Sequence, residues 1–310
     1  RFRWSRRHAP AVAAVAPAVA SVQPQWRDEG PVWRLLRRSQ IRWARRINSE
    51  VGFWHILLDP SGTDRSEEDA TAVRQWLDSG DVRWTWDGVD AICARVAGAQ
   101  AISRGGFGPP RILNAGSGPL APGPLRCEGA AESVGARALG QVPVVAADGL
   151  ARFYMQLFDS LGQAPRATPL HCAVEELPRC FPRDHFDVAH IRNALDHAVD
   201  PLLGIRQLLS VVRPGGWLLL RHERNEGVAG QFQLGLHQWS FDAAETPAGS
   251  AGQEPHFVVW SPALRADVST WLLSEGLASQ VITELRPHPG RDAPGAELEY
   301  IWVDIQKAPL

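Results

Sequence analysis

The chain has 310 residues, of which 45% are hydrophobic and 21% charged, which excludes a disordered or fibrous protein and allows one large domain or two modest ones. The formal net charge of −2 gives no overall reason to expect nucleic acid or a membrane as partner. No apolar run reaches the roughly 18 residues of a membrane span, the candidate at 11–22 being short and interrupted by Pro17.

The charge is unevenly spread. The first 50 residues hold eleven Arg against three acids, Asp28, Glu29 and Glu50. Residues 1–31 read as an unstructured or targeting tail, and the acid-free stretch 1–27 suits either an organelle transit segment or an Ala/Pro tail. The segment VWRLLRRSQIRWARRI at 32–47 then predicts a basic amphipathic helix. Val32, Trp33, Leu35, Leu36, Trp43, Ala44 and Ile47 fall on its apolar side, and Arg34, Arg37, Arg38, Arg42 and Arg45 on the other; Ile41 is the misfit. Packing on a domain is the expected use of that helix, with weak contact to a membrane surface as the alternative.

Further helices are expected to about residue 104. One has an N-cap candidate at Ser66, and another spans 88–102. Eight of the thirteen Trp precede residue 87, so this region, 32–104, reads as an ordered helical cap. The run RGGFGPP at 104–110 is a hinge. Beyond it, strands are expected at 111–114, 142–147, 169–173, 186–191, 216–221, 278–285 and 298–305, and helices at 149–161, 200–212 and 262–275. Continuous apolar runs such as FDVAHI and GWLLLRH suit a parallel sheet covered on both faces. The last two strands are separated only by a Pro/Gly-rich loop, which predicts an antiparallel closing hairpin. The fold class expected is α/β, a doubly wound and mostly parallel seven-stranded sheet.

Cys93, Cys127, Cys172 and Cys180 form no CxxC pair and have no His at zinc spacing, so neither a structural zinc site nor a disulfide scaffold is expected. No metal ligands are assigned. A reduced, cytoplasmic setting is the expectation, or an organelle if residues 1–27 belong to a transit segment.

Ligands of such sheets sit beyond the carboxyl ends of the strands. There the sequence places ILNAGSGP, whose Gly116 and Gly118 let a ligand lie against backbone, and VVAAD, ending in Asp148, an acid able to accept hydrogen bonds from both ribose hydroxyls. It also places CAVEELP and then FDVAHIRNALDHAVDP followed by LLSVVRPGGWLLL. Together these segments resemble the class I S-adenosylmethionine-dependent methyltransferases, over about residues 111–307. The resemblance implies a strand order 3-2-1-4-5-7-6 and S-adenosylmethionine as cofactor. It implies cofactor contacts from Asn114, Ala115, Gly116, Ser117, Gly118, Asp148, Gly149, Ala173, Val174, Glu175, Arg192 and Asn193. Asn114 stands at the position of a strand-end acid, and its amide oxygen can accept from the methionine amine. Ala173 leaves the adenine to backbone contacts.

The reaction implied is methyl transfer to a small-molecule or glycan-like acceptor, with the cap as a lid. His197 and His237 are the catalytic candidates, because an oxygen nucleophile needs a base. His222, Glu223, Gln238 and Trp239 are candidates for substrate contact, while Asp187 and Asp196 read as structural caps. A catalytically silent binding or scaffold protein and an NAD-dependent dehydrogenase are the alternatives; the closing hairpin and the missing GxGxxG speak against the second. The expected partner is a small-molecule substrate rather than nucleic acid.

Overall fold

The computed structural model describes residues 31–59, 67–86, 88–103, 108–127, 139–244, 255–287 and 300–309. The tail at 1–30, the N-cap candidate Ser66, residues 104–107 of the hinge and the hairpin loop at 288–299 lie outside them.

The seven expected strands all form. In chain order they are β1 (Ile112–Ala115), β2 (Val144–Asp148), β3 (Leu170–His171), β4 (Phe186–Arg192), β5 (Val212–Glu223), β6 (Ala278–Arg286) and β7 (Tyr300–Lys307). Their order in the sheet is β3-β2-β1-β4-β5-β7-β6. The first five run parallel, and β7 runs antiparallel to both β5 and β6. Every residue of β1 and β5 except Glu223 is buried, as continuous apolar runs covered on both faces require.

The helices are α1 (Pro31–Leu58), α2 (Glu67–Ser79), α3 (Val89–Ser103), α4 (Ala151–Leu161), α5 (Pro201–Val211) and α6 (Val268–Ser274). Asp200 caps α5 by accepting from the N–H groups of Leu202 and Leu203, with Pro201 at the first helical position. Gly162 ends α4 in the left-handed conformation. The helix expected from 262 begins at Val268 instead. Leu264–Asp267 pair with His256–Ser261, and Asp267 takes the N-cap by accepting from Thr270. That pair joins Ser240–Ala244 in a small antiparallel sheet absent from the sequence expectation. A two-stranded ribbon, Leu125–Cys127 with Gly140–Val142, is likewise new.

Packing divides the helical region expected as one cap. α3 is a layer of the sandwich: Ile92, Cys93 and Val96 pack on Ile112, Val188, Trp217 and Leu219. α5 and α6 cover the opposite face through residues such as Leu202, Ile205, Leu208, Val268 and Leu272. α1 and α2 instead pack with α4 around Trp54, Leu58, Val73, Trp76, Tyr154 and Phe158. Trp43 and Ile47 add to that cluster, while Arg37, Arg38, Arg45 and Ile41 are exposed. The apolar side of the basic helix is therefore used against the domain. Asp187 holds the layers together, accepting from Arg111 N–H and the Gln100 amide and pairing with buried Arg213.

The expectation of four thiols is corrected. Cys93 is bonded to Cys127, joining α3 to the ribbon, and Cys172 to Cys180 across an eight-residue separation. The first pairing arises because the sheet brings two segments 34 residues apart to one face, which no spacing rule shows.

Candidate active site

The glycine turn and the acid expected at the ribose meet at the ends of β1 and β2. Gly116 and Gly118 both have positive φ, 58° and 69°. A Cβ on Gly116 would collide with the Ala194 methyl, and one on Gly118 would stand 2.6 Å from the Trp54 ring. Only glycine fits either position. Asp148 Oδ2 accepts from Gly118 N–H at 2.9 Å, and Oδ1 from Leu150 N–H at 2.7 Å. Ser117 N–H reaches the Ala147 carbonyl at 3.4 Å, and its hydroxyl lies 3.2 Å from the Gly118 carbonyl. Burial pushes the Asp148 carboxyl up to about 6, against the pull of those two N–H groups.

Asp148 fits the ribose of a nucleoside cofactor. Each carboxylate oxygen has a second acceptor site, so two hydroxyl donors can be taken up without breaking the backbone bonds. Donors there would also relieve the desolvation that raises the group. Gly149 leaves the backbone open beside it, where an added Cβ would touch Ala173 at 3.4 Å.

The adenine segment is held from below. Cys172 N–H donates to the Asp148 carbonyl, and the Cys172–Cys180 bond closes the loop carrying Ala173 and Val174. Val174 packs on Gly204 of α5. Glu175 is occupied elsewhere, its Oε1 accepting from the N–H groups of Val199 and Asp200 at 2.8 and 3.2 Å.

Three other expected cofactor residues are placed differently. Asn114 is buried at the end of β1, on the side of the sheet shared with Ile112. Asn193 Oδ1 accepts from Glu223 N–H and from the Tyr300 hydroxyl, each at 3.1 Å. The Arg192 guanidinium lies about 5 Å from the rings of Trp86 and Tyr300. Arg192 and Asn193 thus tie the end of β4 to β5, β7 and the segment before α3.

The two catalytic candidates come together. His197 Nε2 lies 3.1 Å from His237 Nδ1, and that same Nδ1 lies 2.6 Å from Asp196 Oδ2. Asp196, read from the sequence as a cap, is the centre of this group. Burial lowers the His237 pKa, but the hydrogen bond to Asp196 and its charge outweigh this and raise it to about 9. His237 is therefore an imidazolium at neutral pH. Burial also disfavours the Asp196 carboxylate, yet the charges of His197 and His237 outweigh it and hold the group well below its usual range.

The expected substrate wall is mostly interior. Trp239 is 1% exposed and donates to the Ala198 carbonyl at 2.9 Å, so its ring face is core rather than cleft. Gln238 is buried, accepting from the Ser39 hydroxyl of α1 at 2.9 Å. His222 is buried against Phe241, and burial depresses its pKa to about 3. Glu223 is half-buried at the end of β5.

Sequence reasoning missed Glu50, Trp54 and Glu226. Trp54 packs on Gly118, and its indole N–H donates to Glu50 Oε1 at 2.9 Å. Glu50 Oε2 faces His197 Nδ1 at 3.9 Å, and Glu226 Oε1 faces His237 Nε2 at 3.6 Å. The available signal was the i, i+4 spacing of Glu50 and Trp54, which puts both on one helix face. Contacts thus run from the glycine turn through Trp54 and Glu50 of α1 to the histidines.

Residues 138–220 match a family model described as a methyltransferase domain, a stretch that runs from before β2 to within β5. No curated protein sequence matches. Solved structures similar to the chain include a SAM-dependent methyltransferase from Thermotoga maritima described as a possible histamine N-methyltransferase (13% identity, 73% of this chain and 93% of that one, TM-score 0.34). They also include 1,6-didemethyltoxoflavin-N1-methyltransferase from Burkholderia thailandensis with bound S-adenosylhomocysteine (17%, 79% and 91%, TM-score 0.31). A third is an S-adenosylmethionine-dependent methyltransferase from Mesorhizobium loti (15%, 73% and 99%, TM-score 0.37). At these scores the structural likenesses carry no argument. The matched segment contains Asp148 and the Pro-Gly-Gly entry to β5, and it lies in a sheet whose last strand inserts beside β5. Over residues 138–220 the chain is therefore similar to a methyltransferase domain, a family whose cofactor is S-adenosylmethionine.

Proposed function

We propose that the chain methylates a small-molecule or glycan-like acceptor held between α1 and the segments that follow β4 and β5. The observation that supports this most is the Asp196–His197–His237 group, which shares one cleft with the glycine turn and is walled by Glu50 and Trp54. When bound, S-adenosylmethionine supplies a methyl group as a sulfonium electrophile. Asp148 and the Gly116–Gly118 backbone are the groups to hold it, and α1 excludes water from that side. Positioning of this kind supplies much of the rate in a direct displacement.

An acceptor hydroxyl must also lose a proton. His237 already carries one because of Asp196, so His197 is the proton acceptor in this reading. Asp196 fixes the His237 ring and keeps its charge beside His197. Two disulfides favour an oxidising compartment over the reduced cytosol. Among the described residues no helix is long and apolar enough to cross a membrane. Contact of the basic helix with an anionic surface falls to the exposed Arg37, Arg38 and Arg45.

The test has two stages. Calorimetric titration should give micromolar binding of S-adenosylmethionine and S-adenosylhomocysteine and none of NAD. Release of S-adenosylhomocysteine is then followed against hydroxylated small molecules and oligosaccharides, with His197→Ala as the inactive control. Cofactor binding without turnover on any of these, but with turnover on RNA or protein, would replace the acceptor class. Absence of cofactor binding would favour a silent scaffold.

A further inference from the structure

We propose that Asp196, His197 and His237 form a binding site for one divalent transition-metal ion, which positions an acceptor oxygen in the cleft. Three lone-pair atoms converge there. Asp196 Oδ2 is 2.6 Å from His237 Nδ1, His237 Nδ1 is 3.1 Å from His197 Nε2, and His197 Nε2 is 3.7 Å from Asp196 Oδ2. Donors bound to one ion at about 2.0–2.2 Å stand roughly 3.0–3.5 Å from each other. The triangle already has about that size, so shifts of a few tenths of an ångström would close it on an ion. The three residues are the group of His and acidic side chains among the described residues that meets this geometry.

A single proton serves this triangle poorly. On His237 Nδ1 it lies between Asp196 and His197 and can bond only one of them well. A divalent cation at the centre satisfies all three atoms at once. The outer nitrogens agree with this. His197 Nδ1 faces Glu50 at 3.9 Å and His237 Nε2 faces Glu226 at 3.6 Å. Ligating histidines commonly direct their second nitrogen at a carboxylate, which fixes the tautomer and raises the basicity of the ligand.

A second observation is independent of the triangle. Asp196 Oδ1 is buried with no hydrogen-bond partner, and so are both ring nitrogens of His222, a residue 1% exposed. The charges of Asp196 and His197 both act on the His222 ring. Gln238 Nε2, on the residue after His237, is also buried without a partner. Buried polar atoms left unpaired cost about 1–3 kcal/mol each, and several around one point indicate that something polar belongs there.

Two imidazoles and one carboxylate suit Zn²⁺, Mn²⁺, Fe²⁺ or Co²⁺ rather than Ca²⁺, which prefers six or more oxygens. Three protein ligands leave coordination positions open for a substrate atom. The acceptor class that follows is a hydroxyl compound, best one with two neighbouring oxygens such as a vicinal diol or catechol. With the ion bound, His237 releases its Nδ1 proton to become a ligand, and the ion takes over from His197 the activation of the acceptor: the acceptor O–H bond gives up its proton to solvent, the O–CH₃ bond forms, and the S–CH₃ bond breaks to leave S-adenosylhomocysteine. That role rests on the methyltransferase reading, whereas the binding of an ion does not.

The experiment uses the full chain, stripped with chelator and titrated with Zn²⁺ by calorimetry and with Co²⁺ by visible absorption. One ion per chain is expected, with a dissociation constant in the micromolar range or below. His197→Ala and His237→Ala should each weaken it well over tenfold, and Glu226→Gln by about tenfold, the lower end of the range of about 10–100-fold known for outer-shell partners. His256→Ala, at a solvent-facing His–Asp pair outside the cleft, should leave it unchanged. S-adenosylhomocysteine binding measured on the same variants reports whether they fold. Absence of stoichiometric binding, or binding of equal strength in both histidine variants, overturns the site while leaving the methyltransferase reading in place. Loss of S-adenosylhomocysteine binding from the unmodified chain would strike that reading alone.

Discussion

The two halves of the cleft are built by different means. The proposed cofactor half, above β1–β3, is made of backbone, two glycines and one carboxylate, all between Gly116 and Val174 except the overlying Trp54. Its parts are braced before any ligand arrives: Asp148 holds Gly118 and Leu150, and the Cys172–Cys180 bond holds the loop beside it. The proposed acceptor half, above β4 and β5, is made of side chains from four separate segments, Glu50, Asp196–His197, Glu226 and His237. Charge rather than backbone holds it together, and its protons are unevenly shared. On the proposed function, backbone at the strand ends holds the methyl donor, while the choice of acceptor falls to side chains carried outside the sheet.

Substitutions that remove cofactor affinity from one half and leave it intact in the other would sharpen this contrast. The largest effect is expected from Asp148→Ala. It deletes the proposed acceptor for both ribose hydroxyls, each a charge-assisted bond of about 1.5–3 kcal/mol, and it orphans two backbone N–H groups. S-adenosylhomocysteine should bind about 100-fold more weakly by calorimetry, since each 1.4 kcal/mol is a factor of ten. A change under threefold would break the assignment of Asp148.

Replacing Cys172 and Cys180 by Ser comes next. Opening a loop of this size costs about 2–3 kcal/mol of stability in the chain-entropy account. The strain falls on Ala173 and Val174, so cofactor affinity should drop several-fold. Mass spectrometry after alkylation without reductant checks the bonds themselves: any alkylated cysteine in the untreated chain counts against them.

How much of this was legible follows the same division. The strands, the glycine turn and Asp148 are local signals, each a short apolar run with a particular residue at its end, whereas the order of the strands in the sheet was legible only through the family resemblance. Asn193 and Glu175 were also legible as conspicuous residues, but their side chains are drawn into capping and strand-end bonds that only the packed structure defines. Asp196 has the opposite history. It sits beside His197 in the chain and reads as a cap, yet a 41-residue excursion through α5 and β5 returns His237 to its carboxylate. Pairings of that separation leave no periodic trace, and the Cys93–Cys127 bond was missed for the same reason.

Acidity should separate the halves by a smaller margin. Asp148 is raised by burial, so its ionised form, the one that accepts both hydroxyls, is lost as pH falls through about 6. S-adenosylhomocysteine affinity should therefore decline several-fold between pH 7.5 and 5. A flat profile over that range would mean that the carboxylate is not the ribose contact.

The smallest effect on cofactor affinity is expected from Asp196→Asn, and that is its value. The variant removes the charge that raises His237, so the His237 ring, raised to about 9 in the chelator-stripped unmodified chain, should titrate at or below the ordinary histidine value when followed by NMR on the stripped variant. The sign for stability follows. A histidine whose folded pKa is raised from 6.5 stabilises the fold fully below pH 6.5, and the contribution is lost as pH rises through about 9. Thermal midpoints should thus fall between pH 7 and 9.5 in the unmodified chain and change less in Asp196→Asn. S-adenosylhomocysteine affinity at pH 7.5 should stay within about twofold, because none of the Asp148 or glycine-turn bonds involves Asp196. If instead affinity collapsed together with the His237 shift, the histidine group would be part of the cofactor site, and the separation of the cleft into two independently built halves would be wrong.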